Sequence, residues 1–143
     1  MNLRPPSIYI RDTGTPTGRG AFAGRPFAAG ETVEACPVVL FWGKVAPLPS
    51  EVKRLLFNWG VLASVRDTHC LALGYGSLYN HDNPASMRFE ADAEALQLRF
   101  IAVRDIAADE ELTVNYNARG GMHESDRDTW FNAMRVERFD KSA

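Results

Sequence analysis

Glycine, proline, asparagine and aspartate interrupt this chain about every ten residues between positions 8 and 116, and the runs between them are short and rich in β-favouring side chains. A chain cut up in this way has little room for long helices. Its backbone groups must pair between segments, so the sequence predicts a mainly β domain of several small sheets. A 45% hydrophobic fraction against 24% charged residues is enough to bury a core. The 143 residues fit a single domain spanning residues 1–143, its core at about 8–116.

The individual runs are readable. Residues 7–10 lead into a loop over 12–20 crowded with Thr, Gly and Pro. Residues 30–34 and 38–42 read as two short strands separated by Pro37. Val52, Leu55, Leu56 and Trp59 fall at helical spacing, with Ser50 as cap and Gly60 as stop, which predicts one helix over 50–59. Residues 87–90 and 95–103 predict a hairpin with one buried face, and Leu112-Thr113-Val114 another short strand. Trp130, Phe131 and Met134 share one face of a C-terminal helix expected over 122–139.

Several function classes are disfavoured. A formal charge of -2 supplies no cationic field for nucleic acid. Cys36 and Cys70 alone cannot build a four-cysteine zinc site, and His69, His81 and His123 lack local ligand spacing, so no metal is expected. No apolar run approaches eighteen residues, so no membrane span is expected. The unpaired thiols and the absence of a signal-type apolar run predict an intracellular protein, cytoplasmic or, in a eukaryote, nuclear.

Three segments carry chemistry. Gly18-Arg19-Gly20 permits close backbone approach to a ligand, although taken alone such a pair is more often a turn. The segment Gly74-Tyr75-Gly76-Ser77-Leu78-Tyr79-Asn80-His81-Asp82-Asn83-Pro84 gathers amide, imidazole, carboxylate and phenol groups on irregular backbone. Glu111-Leu112-Thr113-Val114-Asn115-Tyr116 ends in a phenol beside a strand terminus.

Taken in order, these segments resemble the SET domain, the fold of the protein-lysine methyltransferases that use S-adenosylmethionine. The match extends to the Gly30-Glu31 turn and the approach at residues 103–111. The resemblance implies small curved sheets with a pseudoknot-like threading of the last motif, which brings Asn80-His81 beside Tyr116. It implies that Gly18, Arg19 and Gly20 line the methionine part of the cofactor, that Asn80 holds its ammonium end, and that the His81 backbone meets the adenine. Tyr116 is then the catalytic residue, also touching the cofactor, while Phe89, Val114 and Tyr79 shape the lysine channel. Val114 stands where an aromatic residue commonly limits methyl number, so products beyond monomethyl lysine are expected.

The chain also departs from the family pattern. Proline arrives one residue early in Asn80-His81-Asp82-Asn83-Pro84, and Glu34-Ala35-Cys36-Pro37 stands where a Tyr-x-Gly often follows the first motif. No cysteine follows Cys70 among these residues, so the zinc-bearing closing segment of many relatives is not expected, and the C-terminal segment is expected to serve as lid, with Trp130 or Phe131 over the adenine. The expected partner is a lysine-containing protein or peptide, histone-like or ribosomal, selected by the groove itself or by a second copy in a homodimer. A non-catalytic SET-like module that binds a peptide, and methyl transfer to a small amine, are the rival readings.

Overall fold

The computed structural model describes residues 3–118 and 120–126. Strand β1 (Ile8–Asp12) and β2 (Arg19–Ala23) form a hairpin in register from Ile8 opposite Ala23 to Asp12 opposite Arg19. Its loop is held by hydroxyls. Thr13 Oγ1 donates to Gly18 O at 2.6 Å and lies 2.8 Å from Thr15 Oγ1, while Gly18 takes φ +76°, which an L side chain rarely adopts.

The second sheet is built on β3 (Thr32–Trp42), which runs unbroken through Pro37. The expected break at proline does not occur, for a simple reason. Residues 32–37 of β3 pair with β8 (Gln97–Ala102) on one side, and residues 38–42 pair with β5 (Thr68–Ala72) on the other. Pro37 stands where pairing passes from one neighbour to the next: its carbonyl accepts from the Leu73 N–H at 2.9 Å, and as it has no N–H to return, the ladder with β5 begins at Val38. Because β5 and β8 overlap so little along β3, the sheet is sheared. Strand β4 (Leu56–Phe57) and β7 (Met87–Asp92) complete the antiparallel order β4-β5-β3-β8-β7.

The expected helix over 50–59 forms only at its start. Helix α1 covers Ser50–Lys53 only, with Pro49 rather than Ser50 at its cap, and Leu56 and Phe57 leave it to pair with Leu71 and Cys70. Sheet pairing satisfied these apolar residues better than a helical stripe, and in α1 Lys53 is buried while Val52 is 39% exposed. Helix α2 (Trp59–Leu62) is capped by Asn58, whose Oδ1 accepts from the Val61 N–H, and it contains Gly60 rather than stopping there.

The hairpin of β7 and β8 forms as expected, from Met87 opposite Ala102 to Asp92 opposite Gln97. Leu98 and Phe100 are buried, but Leu96 sits in the turn at φ +54°, exposed, and Ile101 and Gln97 are buried on the other face. The last strand, β9 (Glu111–Val114), lies between β2 and the two-residue strand β6 (Asn80–His81) in the order β1-β2-β9-β6. An antiparallel bridge between Phe27 and Ile106 steadies its approach. A single hydrophobic core joins both sheets, with Ala21, Leu112 and Val114 from one and Cys36, Leu98 and Phe100 from the other.

The fold is therefore mainly β with small curved sheets. Beyond β9, residues 121–125 are not helical. They run back along residues 83–89, where Phe89 N–H donates to Gly121 O at 2.8 Å and Asn83 forms a two-bond clip with the Ser125 backbone. The rest of the expected C-terminal helix, with Trp130 and Phe131, lies outside the described residues.

Candidate active site

Two strand pairings assemble the three motifs. Strand β9 is antiparallel to β2, with Ala21 opposite Leu112 and Phe22 opposite Glu111, and parallel to β6, with Asn80 opposite Thr113 and His81 opposite Val114. Parallel pairing requires a long connection, which the intervening β7 and β8 supply. Motifs almost a hundred residues apart in the chain thus become neighbours.

One amide ties them. Asn80 Nδ2 donates to Arg19 O at 3.0 Å and to Glu111 Oε2 at 2.8 Å, so a single side chain links the first motif to the last. Both bonds use Nδ2 and keep Oδ1 as an acceptor. Gly20 fits beneath this cluster only because it lacks a side chain: a Cβ there would lie 2.6 Å from Glu111 Oε2, 2.9 Å from Thr13 Cγ2 and 3.1 Å from Asn80 Nδ2.

Tyr116 is gripped at both ends. Its backbone N–H donates to His81 Nδ1 at 3.0 Å, and its hydroxyl donates to Tyr79 O at 2.5 Å. The first bond requires an unprotonated Nδ1 and therefore places any proton of the neutral imidazole on Nε2. The second uses the only phenolic proton, so the Tyr116 oxygen is an acceptor toward anything else. Burial pushes the phenol above its ordinary pKa, with the Arg54 guanidinium opposing and Glu111 adding to the effect. It stays protonated through the neutral range.

The remaining residues of interest lie deeper. Val114 is fully buried, and Phe89 packs edge-on against Phe57 with centroids 5.1 Å apart. The Tyr79 ring meets Phe100 at 4.9 Å, and its hydroxyl donates to Glu34 Oε1 at 2.6 Å. The phenol of Tyr79 is thus committed to the core, and its backbone carbonyl is the part that reaches Tyr116. Gly18 and Arg19 lie at the hairpin turn, and Trp130 lies outside the described residues.

Other contributors escaped sequence reasoning. Ser86 and Thr113 exchange bonds, N–H to hydroxyl oxygen in each direction at 3.0 Å, which fixes the centre of β9. Asn115 is fully buried, and its Oδ1 accepts from the Asn117 N–H at 2.9 Å, shaping the turn around Tyr116. Thr113 and Asn115 stand inside the third motif, but nothing in the sequence marks them as buried, and Ser86 lies outside all three motifs. Among the described residues no three His, Cys, Asp or Glu side chains gather as a metal site would require, and no helix is long and apolar enough to cross a membrane.

A last strand laid between the first hairpin and a parallel two-residue strand, with a gripped tyrosine at its end, defines a SET-type β domain. The model of the SET domain matches residues 18–117, and the chain belongs to that family. It is 30% identical over 114 residues, 80% of this chain and 75% of the relative, to the histone-lysine N-methyltransferase, H3 lysine-37 specific, of Schizosaccharomyces pombe. Solved structures agree on the fold. A candidate histone methyltransferase of Plasmodium falciparum superposes with a TM-score of 0.61 at 22% identity, over 81% of this chain and 96% of that one. A humanized mutant of the Chaetomium thermophilum Polycomb Repressive Complex 2 gives 0.61 at 17% identity, over 81% of this chain but only 15% of that one.

Proposed function

We propose that this chain is a protein-lysine N-methyltransferase that moves a methyl group from S-adenosylmethionine to the ε-amine of a lysine in a protein substrate. The observation that carries the reading is the grip on Tyr116: its hydroxyl donates to the Tyr79 carbonyl and its backbone N–H to His81 Nδ1, which holds the phenol of the last motif against the second. The Schizosaccharomyces pombe relative is named for the same chemistry on a histone. A histone-like or ribosomal protein inside the cell is the substrate class that follows.

The residues present suit such a donor. The bare backbone at Gly20 lets Glu111 and Asn80 close onto β2, and Asn80 Oδ1 is an acceptor for an ammonium group. Gly18, Arg19 and Gly20 would hold the methionine end with Asn80, and the His81 backbone the adenine. When bound, S-adenosylmethionine supplies a methyl group activated by a positively charged sulfur.

The chain's own task is alignment and exclusion of water. Phe89, Val114 and the Tyr79 backbone flank the acceptor lysine. Free lysine has a pKa of about 10.4, and an apolar surround next to positive charge lowers it, raising the share of neutral amine. Tyr116 Oη accepts from that amine and orients its lone pair, and the released proton passes to water.

Calorimetric titration with S-adenosylmethionine, run on wild type and Asn80→Ala, tests the cofactor half. Binding at about micromolar Kd, weakened tenfold or more by the substitution, is expected. Mass spectrometry on lysine peptides and on free lysine tests the acceptor. A folded protein that binds no cofactor would favour a peptide-binding module instead.

A further inference from the structure

Glu34 is a buried acid outside the three motifs, on β3. A bulge interrupts the β3–β8 register between Thr32 and Glu34, so that consecutive Val33 and Glu34 are both buried. Bulges re-aim side chains in this way. The Glu34 carboxylate then collects the loop that leads to the site. Its Oε1 accepts from Tyr79 Oη at 2.6 Å, and its Oε2 accepts from the Tyr75 N–H at 3.0 Å.

The glycines of this loop follow from the same contact. A Cβ at Gly74, where φ is +78°, would lie 2.6 Å from Glu34 Oε2, and one at Gly76 would lie 2.8 Å from Cys36 Sγ and Phe100 Cε2. The loop is pressed onto β3 with no side chain between. Tyr79 is consequently fixed at both ends, its phenol by Glu34 and its carbonyl by the Tyr116 hydroxyl.

We infer that Glu34 is a positioning residue for Tyr116, acting through Tyr79: the buried carboxylate sets where the Tyr79 carbonyl stands, and that carbonyl sets the direction of the Tyr116 hydroxyl. The inference rests on the proposed methyl transfer for its kinetic consequence and on geometry alone for its structural one. Asn80 has its own anchors on Arg19 and Glu111, so cofactor affinity should be largely independent of Glu34.

Three variants separate the possibilities. Tyr79→Phe removes one hydroxyl, Glu34→Ala removes both acceptors, and Glu34→Gln keeps an acceptor for the Tyr79 hydroxyl but sets an amide N–H where the Tyr75 N–H had its acceptor. Tyr79→Phe and Glu34→Ala should lower kcat about tenfold or more at temperatures well below unfolding, with the Kd for S-adenosylmethionine changed less than about threefold. Glu34→Gln should recover part of kcat relative to Glu34→Ala. In parallel, the Tyr116 Cζ resonance of ¹³C-tyrosine-labelled protein should move in the first two variants and move less in Glu34→Gln than in Glu34→Ala. An unmoved Tyr116 resonance in folded Tyr79→Phe overturns the inference, as does a lowered unfolding temperature with kcat unchanged. The resonance needs no substrate, so a wild type that transfers no methyl group would overturn the proposed reaction and leave this test decisive for Glu34.

Discussion

At the scale of single residues, the site depends on small distances around groups with few alternatives. Gly20→Ala would put a methyl group against Glu111, Thr13 and Asn80, and the Asn80 amide would have to leave Arg19 O. S-adenosylmethionine affinity is expected to fall at least tenfold, about 1.4 kcal/mol, with far-UV circular dichroism unchanged; calorimetry beside the spectrum checks it. Val114 is fully buried next to the turn that carries Tyr116, and its small volume is expected to allow di- or trimethyl products. Val114→Phe should shift the product toward monomethyl lysine in a mass-resolved time course. Monomethyl product alone from the wild type after long incubation would defeat that volume argument. Residue identities such as Asn80 and Tyr116 were legible because their order and spacing resemble a family pattern. Glu34 was not, since nothing in a sequence distinguishes a strand glutamate in solvent from one turned inward by a bulge.

At the scale of elements, β3 and β5 carry a half-buried histidine with a clear pH signature. His69 stacks on Phe41 at 5.9 Å, and its buried Nδ1 has no hydrogen-bond partner among the described residues. Burial lowers its pKa below the ordinary value of about 6.5, with Asp67 opposing in the other direction. The unfolded chain therefore takes up a proton at higher pH than the folded one. The stability held above about pH 6.5 is lost as pH falls toward the folded pKa and then levels off. His69→Leu should flatten this part of the stability profile, read as the difference between wild type and variant in urea unfolding from pH 7.5 to 5. Equal slopes for the two proteins would remove His69 as the cause. The same pair of strands shows where sequence patterns mislead. Val52, Leu55, Leu56 and Trp59 have helical spacing, yet Leu56 and Phe57 pair with β5, because a short apolar run is compatible with either period until a neighbouring strand decides.

At the scale of the molecule, the two ends of the described chain are interleaved. Strand β9 pairs with β2 and β6, and Phe27 bridges Ile106, so neither sheet closes until residues beyond 100 are in place. Unfolding should therefore be a single cooperative event, with near-UV and far-UV transitions superimposed in denaturant, as for one domain. Two separated transitions would instead divide the chain into independent units. Pairings of such sequence separation also close slowly, since loop entropy is lost before the contacts form. What the sequence by itself determined is local: turn chemistry set the short strands, glycine and asparagine set the tight loops, and three motifs announced the family. The partners of those segments were decided only in three dimensions. A strand's own residues carry no record of which edge they will meet, so the passage of β3 across Pro37 from β8 to β5, the parallel seat of β9 beside Asn80-His81, and the inward turn of Glu34 all arose from the pairing of distant backbone groups and the single core they enclose.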